Sequence, residues 1–109
     1  MTTSATVPVT ITTQAGARIA QSGLQREVER IIQHACSVLP DLESIQVNLY
    51  DRHELADEPG LSIDVYSRRP YDRHNSDERN LIRWMVTKFP PQVLEQIIID
   101  YHPANNHAG

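Results

Sequence analysis

The chain has 109 residues, a formal net charge of −4 and a single cysteine. A domain of this length hides roughly two-thirds of the surface its unfolded chain exposes, so it needs no metal or disulfide staple. Cys36 has no internal partner, the acidic balance argues against nucleic acid, and no apolar run approaches the roughly 20 residues of a membrane helix. The segment from Met1 to Ala20 lacks a basic start followed by an unbroken apolar run, which excludes an ordinary signal peptide. A single domain over 1–109 in a reducing cytoplasm is expected, with an ordered core at about 7–102 and loose ends.

Residues 1–6 are small and polar. From Val7 the chain alternates, with Val7, Val9 and Ile11 facing one way and Pro8, Thr10 and Thr12 the other. That is a half-buried strand in which Pro8 suits the first positions or an edge. Gln14-Ala15-Gly16 reads as a turn, and Ala17 to Ala20 as a short return strand. Ser22 and Gln25 have the spacing of a capping box at the start of a helix. The apolar stripe of that helix is Leu24, Val28, Ile31, Ile32, Ala35, Val38 and Leu39, and Pro40 stops it.

Two amphipathic strands follow. Ile45, Val47 and Leu49 alternate with Gln46, Asn48 and Tyr50, then Leu61, Ile63 and Val65 alternate with Ser62, Asp64, Tyr66 and Arg68. Such neighbours pair as an antiparallel hairpin. Asn75, Ser76 and Glu78 open a second helix with the stripe Leu81, Ile82, Met85 and Phe89. Pro90-Pro91 breaks it, and a short turn restarts before Gln96. The run from Ile97 to His102 is a last strand, and residues 103–109 have the composition of a frayed tail. The order strand, helix, strand, strand, helix, strand matches the ferredoxin-like β-α-β-β-α-β arrangement, an α+β fold with a four-stranded antiparallel sheet and both helices on one face. Val28, Ile32, Val47, Ile63, Leu81 and Met85 are expected to be almost fully buried. The fold hosts many functions, so function has to come from the sites.

Acids dominate between Asp41 and Asp64 and bases between Arg68 and Lys88, which reads first as two solvated faces and, in the sharper reading, as a basic side that meets something acidic, including a second copy of the chain. The segment from His53 to Asp57 is one residue short of a zinc-protease motif, with Asp57 in place of the second histidine, and no structural metal is expected from it. Arg68, Arg69, Arg73 and His74 lead into the second helix, where free N–H groups suit an anion, although Asp77 and Glu78 already complement that helix end. The polar face of the sheet gathers Thr10, Thr12, Asn48, Tyr50, Asp64, Tyr66, Arg68, Asp100 and His102. A small enzyme would use His102 with one of these carboxylates or Tyr66, but no nucleophile or cofactor motif accompanies them. Trp84 lies off its helix stripe and marks either an interface or a contact with the first helix. The leading expectation is a non-enzymatic protein–protein interaction module that self-associates as a homodimer. Its interface candidates are Trp84, Ile97, Ile99, Tyr50 and Tyr66. The alternatives are an anion-binding or small-ligand domain using the Arg68–His74 approach, or an enzyme at His102. No cofactor, nucleic acid or membrane enters any of these readings.

Overall fold

The computed structural model describes residues 7–39, 41–50 and 59–104. Its elements in chain order are β1 (Val9–Ile11), α1 (Thr13–Ser22), α2 (Gln25–Val38), β2 (Leu42–Tyr50), β3 (Gly60–Ser67), α3 (His74–Lys88), α4 (Pro91–Leu94) and β4 (Ile97–Pro103), with one 3-10 turn at Tyr71–Arg73 before α3. No helix among the described residues is long and apolar enough to cross a membrane.

The expected return strand is a helix. Thr12 is the N-cap of α1, its hydroxyl accepting from the Ala15 amide at 3.1 Å. Ala15 and Ile19 lie one turn apart and are both buried, so the segment follows the helical period and Gly16 does not break it. Gly23 closes α1 with φ of 71°, and the Gly23 and Leu24 amides donate to the Ile19 carbonyl at 2.9 and 3.2 Å. This left-handed cap replaces the expected Ser22 capping box. Ser22 remains in α1, its hydroxyl donating to the Arg18 carbonyl, and α2 starts at Gln25 without a side-chain cap.

The sheet is four-stranded and mixed, in the order β1-β2-β3-β4. The β2–β3 hairpin is antiparallel as expected, with Ile63 opposite Val47. Strands β1 and β2, and β3 and β4, are parallel neighbours. The ferredoxin-like antiparallel arrangement is therefore replaced by two parallel pairs joined through one hairpin. Strand length explains the difference. A ferredoxin-like sheet would put β1 in its interior, but β1 has three residues, all exposed, and follows a proline. Such a strand belongs on an edge. The interior falls to β2 and to β3, most of whose residues are buried.

Ile45, Val47, Ile63, Val65, Ile97 and Ile99 line the inner face and join Val28, Ile31, Leu81 and Met85 from the helices in one core. Val28, Val47, Ile63, Leu81 and Met85 are buried as expected, but Ile32 is only partly so. Ile82, expected in the α3 stripe, is 40 % exposed. His74 and Asp77 are buried instead and extend the inward line of Leu81 and Met85 by two turns. Pro103 and Ala104 do not belong to a frayed tail, since β4 runs to Pro103 and Ala104 is fully buried; residues 105–109 of the expected tail lie outside the described residues.

Candidate functional site

On the outer face, the register places Gln46, Asp64 and Asp100 in one row and Tyr66 beside His102 in the next. Asp64 sits on a central strand and is 8 % exposed, an unusual position for a carboxylate on a face without helices. Two neighbours compensate. The Asn48 side-chain amide donates to Asp64 Oδ2, and the Ser62 hydroxyl donates to Oδ1 at 2.9 Å. His102 Nε2 lies 3.4 Å from Asp64 Oδ1 and 3.6 Å from Asp100 Oδ2, so both carboxylates face one ring nitrogen. Tyr66 stacks on the imidazole with ring centroids 4.9 Å apart. Burial, then the Asp64 and Asp100 carboxylates, push the Tyr66 phenol above its ordinary range and keep it a neutral hydroxyl. The sequence reading paired His102 with one carboxylate or the other. The structure brings all three together as a set able to hold an ion, gives Asn48 of the expected polar face a contact with Asp64, and adds Ser62.

The arginine-rich approach to α3 has a different character. Arg69 Nε lies 2.9 Å from Asp77 Oδ2, and Arg69 Nη2 reaches Asp77 Oδ1 at 3.4 Å. The Tyr101 hydroxyl donates to Asp77 Oδ2 at 3.4 Å, and His74 Nε2 lies 3.0 Å from the Arg69 carbonyl. Burial pushes the Tyr101 phenol up to about 12, with the Asp77 carboxylate adding to the rise and a Ser67 hydrogen bond opposing it. Arg69 and His74 are thus turned inward, tying the start of α3 to β3 and β4, while Arg68 and Arg73 are exposed. Four side chains expected to converge on one anion are divided between the interior and the surface.

Of the interface candidates, Ile97 and Ile99 belong to the core at 3 % and 8 % exposure. Trp84 is half-buried and stacks on His34 of α2, with centroids 3.9 Å apart and planes 6° from parallel. Its edge meets Phe89 at 5.6 Å, so it fastens α3 to α2 within the chain. Tyr50 is exposed at the end of β2, and Tyr66 is engaged with His102. Cys36 is exposed, and partial burial pushes its thiol up, away from an activated nucleophile. The near-motif from His53 to Asp57 lies outside the described residues.

The sequence reading did not single out the β1 edge. Val9 and Ile11 are 41 % and 45 % exposed although their register partners, Ile45 and Val47, are buried. Beside them opens a groove of about 250 Å³ lined by Ile11, Ile19, Ala20, Val28 and Ile32. Its opening is why Ile32 is only partly covered. The signal in the sequence was Pro8, which suited an edge, whereas the alternation from Val7 to Thr12 suggested a longer strand than the three residues of β1. Comparison of the chain with protein-family models, with curated proteins and with solved structures gives no match.

Proposed function

We propose that this chain is a non-enzymatic, self-associating interaction module, joined to a second copy through the outer edge of β1. The observation that carries the reading is the exposure of Val9 and Ile11 on an edge strand without charged residues. Natural edges are usually blunted by charge, proline or a bulge. The opposite edge, β4, carries Asp100 and His102 and ends at Pro103. Pro8 does not blunt β1, because its carbonyl accepts from the Ile45 amide and its nitrogen therefore faces β2.

Backbone direction supports a two-fold contact. The Thr12 amide donates to the Val47 carbonyl, so Pro8, Thr10 and Thr12 direct their polar groups toward β2. Those of Val9 and Ile11 point away from the sheet. In an antiparallel pair of β1 strands, Val9 of each copy faces Ile11 of the other and exchanges both hydrogen bonds with it. Closed two-fold contacts of this kind are the commonest in homo-oligomers. The apolar side chains of the second copy then lie over the groove at Ile32.

Sedimentation velocity on the full chain and on Ile11→Lys tests this. The expected result is a dimer for the parent and dissociation at least about tenfold weaker in affinity for the variant, about 1.4 kcal/mol, with thermal unfolding little changed. A monomeric parent, or a variant that dimerises as tightly, contradicts the reading.

A further inference from the structure

We propose that Asp64, Asp100 and His102 form a binding site for a divalent first-row transition ion, held on the outer face of the sheet. The first argument is spacing. Zinc-type ions bind imidazole nitrogen at about 2.0–2.1 Å and carboxylate oxygen at about 2.0–2.2 Å. Two such ligands at a tetrahedral angle stand about 3.4 Å apart. His102 Nε2 stands 3.4 and 3.6 Å from the two carboxylate oxygens. The His102–Asp64 contact is a long hydrogen bond at 3.4 Å, outside the roughly 2.7–2.9 Å of a charge-assisted one. The three ligand atoms all lie within 4.8 Å of one another, so small side-chain adjustments bring them onto one ion.

The second argument is electrostatic. Asp64 and Asp100 are direct register partners on neighbouring strands. Like charges placed opposite each other across a ladder repel. Among the described residues, the basic partner of both carboxylates is His102, whose ring offers one nitrogen to the pair. A bound cation removes this repulsion and uses the same nitrogen as a ligand.

Support around the ligands completes the case. Asn48 and Ser62 fix the Asp64 carboxylate, and the Tyr66 ring fixes the plane of the imidazole. Groups behind the ligands that orient them are the usual companions of a working metal site. All three ligands come from the two neighbouring strands β3 and β4. One imidazole with two carboxylates favours zinc, manganese, iron or cobalt over magnesium or calcium, whose sites are built from oxygen alone. This site lies on the outer face and does not depend on the β1 contact.

The test is titration of the tag-free full chain with cobalt(II), followed by its visible absorption and by calorimetry, alongside Asp100→Asn, His102→Ala and a control, Asp72→Asn. Asp100 is exposed, so its variant keeps the test valid if the histidine variant fails to fold. One equivalent of cobalt should bind the parent and the control alike, with affinity at least about tenfold lower in the site variants. Absence of binding at millimolar cobalt overturns the proposal. So does affinity untouched by Asp100→Asn, or displacement of cobalt by equimolar magnesium.

Discussion

Trp84, expected at an interface or against the first helix, and His34 of α2 define one another. Each lies at the border of its helix stripe, and the two rings stack at 3.9 Å. Burial first, then the nearby Lys88 ammonium, lowers the proton affinity of His34 below its ordinary value. The sign follows from linkage. Below pH 6.5 the unfolded chain takes up a proton that the folded chain still refuses, so stability present above that pH is lost as pH falls through the lower folded value. Trp84 is the single tryptophan of the chain and reports this step directly. Its fluorescence should change with a midpoint below 6.5, and the change should vanish in His34→Gln. A midpoint at or above 6.5 would show that the imidazole is stabilised in its charged form by the stack. Residue type and period placed both rings at a flank. Which of the two expected roles Trp84 takes was not legible, because it depends on the separation of α2 and α3 and no local pattern encodes that.

Elements were legible where one period ran for two or more turns or for a full strand. The stripe from Leu24 to Leu39 yielded the right element and inward face except at Val38, which is 49 % exposed, and at the partly buried Ile32; the alternation from Ile45 to Val65 yielded the right strands and inward face. The segment before them reads differently in the sequence because Gly16 suggests a turn and Ser22 a helix start, whereas the helix end is set by Gly23. Gly16 lies inside α1 with φ in the ordinary range, whereas Gly23 has φ of 71° and ends the helix. A Cβ at Gly23 would meet nothing within 4 Å, so the cost of a side chain there is conformational only. Gly23→Ala should therefore destabilise the fold by about 1 kcal/mol, the strain of an L-residue in the left-handed region. Chemical denaturation of the variant checks this, and an unchanged midpoint would show that the corner between α1 and α2 relaxes without loss. The outer-face cluster was half legible. Alternation put Asp64, Tyr66, Asp100 and His102 on one side, but convergence required the parallel register of β3 with β4, which element order does not specify.

At the scale of the whole molecule, the order β1-β2-β3-β4 decides which surfaces are offered. Were β1 interior, Val9 and Ile11 would be covered on both flanks, and the open edge would fall elsewhere. Its edge position also changes the role of charge. The expected pairing of an acidic segment with a basic one loses Arg69 to Asp77 and gives Asp64 to the cluster around His102. The association proposed here rests on backbone hydrogen bonds and apolar contact, neither of which is screened by salt as exposed ion pairs are. Its central geometric claim is the two-fold pairing of β1. In that pairing Thr10 faces Thr10 of the second copy as a non-hydrogen-bonded pair, with Cα atoms about 4.5 Å apart. That separation lies within the range a disulfide accepts. The most direct measurement is oxidative cross-linking of Thr10→Cys in a Cys36→Ser background, with Thr13→Cys in the same background as a control. Near-complete covalent dimer from the Thr10 variant and little from the control is the predicted result; no cross-link at Thr10, or equal cross-linking at both positions, would contradict the account.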